Sequence, residues 1–197
     1  GLTIKTFHAF CAMALRQYGE AIGISKEFIV FDDSDQIAVI KKSMEENNVD
    51  SKKFSPRSIL STISNSKSQL IDYSGFLNKK SNYYDEIVSR VFERYNEIIQ
   101  NSGGLDFDDL LLKTNLLFKE NSKILSQYQN RFEYLMIDEF QDTNIAQYAI
   151  AKQISELNQN LCVVGDPDQS IYSWRNADIR NILSFKDKFH NYLIETF

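Results

Sequence analysis

The sequence predicts an α/β protein, a partial parallel sheet interrupted by an all-helical insertion, and two observations predict it. From residue 132 onward, short apolar runs alternate with helical periods as strand, helix, strand, helix, strand, the order that packs helices against a parallel sheet. Between about residues 20 and 104 the chain reads as helix upon helix, with no strand among them. Composition sets the scale: 197 residues, 43% hydrophobic and 13% aromatic, supply one core or a core with a satellite.

Leu2 to Lys5 reads as a strand, and His8 to Tyr18 as a helix with Phe10, Ala14 and Leu15 on one side. Asp33 is a cap for a helix whose apolar positions are Ile37, Ile40 and Met44. Ser55-Pro56 opens another, with proline in the first turn and Ile59, Leu60 and Ile63 behind it. The clearest period runs from about Asn82 to Gln100. There Tyr84, Ile87, Val88, Val91, Tyr95, Ile98 and Ile99 repeat at three and four until Gly103-Gly104 stops them. That stripe predicts the core of the insertion. Asp106 caps the next helix, Phe107 to Phe118. Tyr134 to Ile137 is a short strand of the buried type that ends in acids. Ile145, Tyr148, Ile150, Ile154 and Leu157 then mark a helix, and Leu161 to Val164 a second buried-type strand. A helix from about Ala177 to Phe189 and a strand at Tyr192 to Glu195 complete the alternation.

Charge and cysteine content exclude several classes. With 22 basic against 27 acidic residues, a net charge of -5 excludes coating nucleic acid by global charge but leaves a local groove open. Seven glycines and two prolines exclude collagen-like and disordered-linker composition. Cys11 and Cys162 cannot form a zinc site alone, and nothing suggests a disulfide framework. Both are expected as small buried hydrophobes in a reducing cytoplasm. No apolar run approaches the roughly 18 residues of a membrane span, and no signal-peptide pattern is present, so no membrane partner is expected. The chain starts on Gly1 without Met and ends on an apolar run, Tyr192-Leu193-Ile194; both ends are expected to be cut from something longer. Residues 51–80 carry Lys52, Lys53, Arg57, Lys67, Lys79 and Lys80 against Asp72 alone, either a solvated face or a polyanion-facing one.

Two segments carry chemistry. In Leu135-Met136-Ile137-Asp138-Glu139-Phe140-Gln141-Asp142 an apolar strand delivers adjacent carboxylates to its C-terminal end, where α/β sheets bind ligands. One such carboxylate can hold magnesium while its neighbour orients or deprotonates an attacking water, the Walker B arrangement. The bland alternative is a strand end with two solvated acids. In the second, Val164-Gly165-Asp166-Pro167-Asp168-Gln169-Ser170-Ile171-Tyr172-Ser173-Trp174-Arg175, a strand again ends in glycine and acids. Gln169 is a neutral donor for a phosphate oxygen. Tyr172 and Trp174, with Arg175 beside them, suit base stacking and a phosphate contact, or else are core anchors under a loop.

Together these segments resemble motifs II and III of superfamily 1 DNA helicases of the UvrD/Rep/PcrA type. Thr6-Phe7-His8-Ala9-Phe10 is similar to that family's motif Ib, and Leu105-Asp106-Phe107-Asp108-Asp109-Leu110-Leu111 to the segment where its helical insertion returns to the core. The resemblance covers the whole chain. It implies that residues 1–19 and 105–197 form part of a RecA-like domain, 1A, and residues 20–104 its helical insertion, 1B. In that family 1B lies beside duplex DNA, which favours the polyanion-facing reading of residues 51–80. The implied roles are magnesium binding for Asp138, activation of the attacking water for Glu139, and γ-phosphate sensing for Gln169. Single-stranded DNA contacts are implied for Tyr172, Trp174 and Arg175, and backbone contacts for Thr6 and His8. For His8 a capping or buried histidine at a helix start is the alternative.

The chain also departs from the family. It holds no Gly-Lys-Ser or Gly-Lys-Thr phosphate loop and nothing matching motifs IV to VI, and Asn176 stands where glycine usually follows the motif III arginine, a place asparagine tolerates. The expectation is a fragment, inactive alone, of an ATP-dependent 3′–5′ DNA helicase. Its partners would be ATP with Mg2+, single-stranded DNA, a duplex junction and the remainder of its parent. The alternatives are the helicase portion of a helicase–nuclease subunit and a non-catalytic nucleic-acid-binding module of the same fold. A magnesium-dependent nuclease is the weaker rival, since it leaves Gln169 and the aromatic cluster idle.

Overall fold

Thr6 starts the first helix, α1 (Phe7–Tyr18), by accepting the Ala9 N–H on its hydroxyl at 3.2 Å. The computed structural model describes residues 1–169 together with Asp178 and Asn181. The expected helix at 177–189 and strand at 192–195 lie outside the described residues. So do Tyr172, Trp174, Arg175 and the turn at Asn176. Contacts divide the chain into two units, Gly1–Ile124 and Leu125–Phe197. No described helix is long and apolar enough to cross a membrane.

In the first unit, α1 is followed by β1 (Ile29–Phe31), α2 (Asp33–Glu46), α3 (Pro56–Ser68), α4 (Tyr73–Lys79) and α5 (Tyr83–Asn101). β2 (Gly104–Asp106), α6 (Phe107–Glu120) and the first turn of α7 (Ser122–Arg131) complete it. Sequence signals place most of these. The α2 cap is Asp32, one residue before the expected Asp33, in a reciprocal box with Asp35. Pro56 opens α3, and Asp106 caps α6 in a second box with Asp109. The α5 stripe buries Ile87, Val88, Val91, Tyr95 and Ile99 against Ile40 and Met44 of α2 and Ile59 and Ile63 of α3, as predicted for a core.

Two expectations fail here. Residues 2–5 form no strand, and Leu2 and Ile4 are 89% and 83% exposed: no described segment offers them a ladder, and a lone strand leaves its peptide groups unpaired. Conversely, the helical region is bracketed by a strand pair. β1 and β2 run parallel, with Ile29, Val30 and Phe31 opposite Gly104, Leu105 and Asp106. Gly103 takes a left-handed φ of +62° to turn from α5 into β2, and Gly104 lies where a Cβ would meet the Phe31 ring. The two glycines therefore both stop the helix and admit the strand.

Lys67 is the third correction. Expected in a basic face, it is 1% exposed, with its ammonium 2.7 Å from Asp106 and 2.8 Å from Asp109. The Tyr95 hydroxyl donates to the same Asp106 oxygen at 2.7 Å and also reaches Gln36. Burial would pull the Lys67 ammonium down, but the two carboxylates hold it above the ordinary lysine value. This cluster ties α3 and α5 to the start of α6, so α1 and α6 group with the helices between them. The other basic residues of 51–80 are exposed.

The second unit holds the rest of α7, β3 (Leu135–Ile137), α8 (Ile145–Ser155) and β4 (Leu161–Val163). β3 and β4 pair in parallel, Met136 opposite Cys162, as the strand–helix–strand pattern predicts. Asn144 caps α8 in a box with Gln147. The buried-type reading of both strands holds on one face only. Ile137 is buried, whereas Met136 and Val164 are 73% and 51% exposed and Cys162 is exposed with them. Cys11 is buried as expected; Cys162 is not, because it stands on the exposed face of the pair that β3 and β4 form among the described residues.

Candidate active site

The site forms where β3 and β4 end. Val164 donates its N–H to Ile137 O at 2.8 Å, and Phe140 donates to Val164 O at 2.9 Å, so the strand ends are stitched together beyond the ladder. Between these bonds the backbone reverses. Glu139 adopts a left-handed conformation, φ 51° and ψ 42°, uncommon for a residue with a side chain. The chain then winds through a short 3-10 turn, Phe140–Asp142, that plants the Phe140 ring in the core, edge-on to Tyr148 at 6.1 Å between centroids.

Both carboxylates stay accessible. Asp138 is exposed and accepts the Glu139 N–H on Oδ1 at 3.0 Å. Glu139 is exposed too, and its Oε2 accepts from Gln141 Nε2 at 2.7 Å. Gln141 is itself only 1% exposed, and its Oε1 accepts the Asp166 N–H at 3.1 Å. Asp166 opens a turn in which its carboxylate accepts the Asp168 N–H at 2.9 Å and Gln169 Nε2 at 2.7 Å. Asp138, Glu139 and Gln169 are therefore joined in one hydrogen-bonded set, with Gln141 and Asp166 between them. The sequence pattern assigns neither link a role. The available signal for Gln141 was an amide between a buried-type aromatic and an acid, two residues after the glutamate.

Asp142 completes the turn. Burial, then the nearby Glu139, push its carboxyl above the usual range, and its Oδ1 is buried without a hydrogen-bond partner among the described residues. The exposed Asp138 suits magnesium, which takes one or two carboxylates and fills its remaining positions with water and phosphate oxygens. No group of three or more His, Cys, Asp or Glu that could hold a metal ion occurs among the described residues.

Thr6 and His8 belong to the first unit. The Thr6 hydroxyl is engaged as the α1 cap, and His8 is half-buried with its ring edge-on to Phe107, 5.8 Å between centroids. Burial pulls its imidazole below the ordinary histidine value, so it is neutral near pH 7.

A parallel strand pair ending in an exposed Asp-Glu dipeptide, tied to a second polar turn after the next strand, defines a class, and the chain belongs to it: the UvrD/REP helicase N-terminal domain family, whose model matches residues 1–190. Among its relatives is the ATP-dependent DNA helicase PcrA of Bacillus subtilis (strain 168). It is 48% identical over 188 residues, an alignment covering 95% of this chain and 25% of that protein. PcrA of Staphylococcus aureus (strain Mu50) is 43% identical over 186 residues, covering 94% and 26% respectively. The chain thus spans about a quarter of the length of the curated relatives it matches.

Proposed function

We propose that this chain is the part of an ATP-dependent 3′–5′ DNA helicase that supplies the hydrolytic carboxylates and a share of the single-stranded DNA path. The set joining Glu139, Gln141, Asp166 and Gln169 carries the reading, because it connects the candidate base to the loop that leads toward Tyr172, Trp174 and Arg175. Residues 1–19 and 105–197 are assigned to a RecA-like domain 1A and residues 20–104 to its insertion 1B. The Lys67 cluster would be the brace between insertion and flank. Exposed Lys52, Lys53, Arg57, Lys79 and Lys80 are the candidates to face a duplex, without Lys67. The site of action would be the cytoplasm.

In this reading Glu139 takes a proton from the water that attacks the γ-phosphate, and its turn holds the carboxylate at the strand end before substrate arrives. Asp138 would hold a magnesium ion, which supplies charge neutralisation on the phosphates when bound. Gln169 would exchange its bond to Asp166 for one to a phosphate oxygen. Thr6 and His8 would lie along the DNA backbone.

The test is Glu139→Gln in a protein of its relatives' length that carries this chain. ATP should still bind while DNA-stimulated hydrolysis falls by a factor on the order of 10²–10⁴. A rate within about threefold of the parent protein, a loss too small for a general base, would refute the role given to Glu139, whereas a parent protein without DNA-stimulated hydrolysis would favour the non-catalytic binding module.

A further inference from the structure

Gln141 is a fully buried amide with one charged and one backbone partner. Its Nε2 lies 2.7 Å from Glu139 Oε2, and its Oε1 lies 3.1 Å from the Asp166 nitrogen. Chemistry alone fixes which end is which. The Glu139 carboxylate can only accept and the Asp166 N–H can only donate, so turning the amide over would lose both bonds at once. No other natural side chain of this length presents a neutral donor and an acceptor side by side. Glutamate would set a second carboxylate against Glu139, and methionine would satisfy neither partner.

The placement is also directional. Phe140, buried in the core, fixes the residue before Gln141, and the left-handed turn at Glu139 brings the two side chains together. At the far end, Asp166 is no passive backbone. Its carboxylate holds Gln169 at 2.7 Å and the Asp168 N–H at 2.9 Å, so any movement of the 166–169 turn is felt at its own N–H and hence at Gln141.

Resting on the proposed ATPase reading, we infer that Gln141 is a positioning residue: it aims the Glu139 carboxylate and makes that aim depend on the state of the 166–169 turn. It acts through Glu139 and not on the substrate. When Gln169 leaves Asp166 for another partner, the turn, the Asp166 N–H, the Gln141 amide and the Glu139 carboxylate shift as one connected set. The base is thereby informed of events in the loop that follows without either group moving far.

The experiment compares Gln141→Met and Glu139→Gln in a protein of its relatives' length, measuring ATP turnover with and without single-stranded DNA. Gln141→Met keeps volume and removes both bonds. The expected result is a fall of about 10- to 100-fold in DNA-stimulated kcat, as for a base displaced by an ångström, with KM for ATP and DNA affinity held within about twofold. A purely structural role would lower the melting temperature and leave kcat alone, or damage kcat, KM and DNA affinity together; either pattern overturns the inference, as does any fall smaller than about tenfold. Should Gln141→Met fail to fold, Gln141→Glu retains the acceptor for Asp166, loses the donor to Glu139 and sets a second carboxylate against it. It must show the same selective fall, and normal turnover in it overturns the inference. If Glu139→Gln abolishes hydrolysis while the Gln141 variants lose less than about tenfold, the ATPase reading stands and the inference falls; if Glu139→Gln is itself harmless, both fall.

Discussion

Replacing Lys67 by Met would remove the ammonium from between Asp106 and Asp109, at 2.7 and 2.8 Å, in a site where the lysine is 1% exposed. Burial pushes the Asp106 carboxyl up, but Lys67, the Asp109 N–H and the Tyr95 hydroxyl together hold it below the usual range. Asp109 is held above that range by burial and by Asp106. Deleting one partner of a buried pair costs about 3–5 kcal/mol, a large share of the roughly 5–15 kcal/mol that holds a domain folded. With a urea m-value of about 2 kcal/mol/M, the midpoint should fall by about 2 M. The pH dependence gives the sharper test. Without Lys67 both carboxyls rise above their unfolded values, and a raised carboxyl contributes stability that is present below about pH 4 and lost as pH climbs through the folded value. The deficit relative to the parent chain should therefore be largest at about pH 8 and shrink toward about pH 5, where these carboxyls can protonate. Brief thiol labelling of buried Cys11 across a urea series, in a Cys162→Ser background, reports the opening of this unit alone. Adding Asp109→Asn, which keeps an acceptor for the capping box, should restore part of the loss. A cost below about 1 kcal/mol, or one equal at both pH values, would refute the picture of a desolvated cluster dependent on its lysine.

Two further outcomes follow from the same unit and its neighbour. Burial, then Asp106, push the Asp108 carboxyl up to about 7, so its contribution favours folding below about pH 4 and is lost as pH rises to about 7; Asp108→Asn should raise the melting temperature at pH 8 more than at pH 5, and an equal change would contradict this. Cys162, on the open sheet face, should react with a thiol reagent in the folded 197-residue chain, whereas buried Cys11, whose thiol is pushed up to about 12, should react only on unfolding; equal rates would contradict the burial assignment.

What the sequence made legible follows from how local each signal is. The α5 stripe and the Asp106 box are read within a few residues, and both elements stand where expected. β1 and β2 have three residues each, too short for a period, and exist because each supplies the other's hydrogen bonds across the helices between them. Lys67 shows the same limit in charge. A count of basic residues records the ammonium but not Asp106, whose carboxylate lies 39 positions along the chain. The open face of β3 and β4 was misread because an apolar run announces that a strand prefers burial, not that something covers both its faces.

At the candidate site, residue types were legible and their aim was not. Adjacent residues on a continuing strand point to opposite faces, so Asp138 and Glu139 read as a strand would be sent apart. The ladder instead stops at Ile137, and Glu139 takes a left-handed backbone that costs on the order of 1–3 kcal/mol for a non-glycine residue. Glycine there would relieve that strain and remove the carboxylate. Three contacts hold the turn against it: the Glu139 N–H on Asp138, the Phe140 N–H on Val164 with its ring in the core, and the Gln141 amide on the carboxylate itself. Two of the three lead through residues that would never touch substrate. A glutamate kept where the backbone favours glycine, and braced from beneath by a buried amide, is better explained by what the carboxylate does than by any gain in stability.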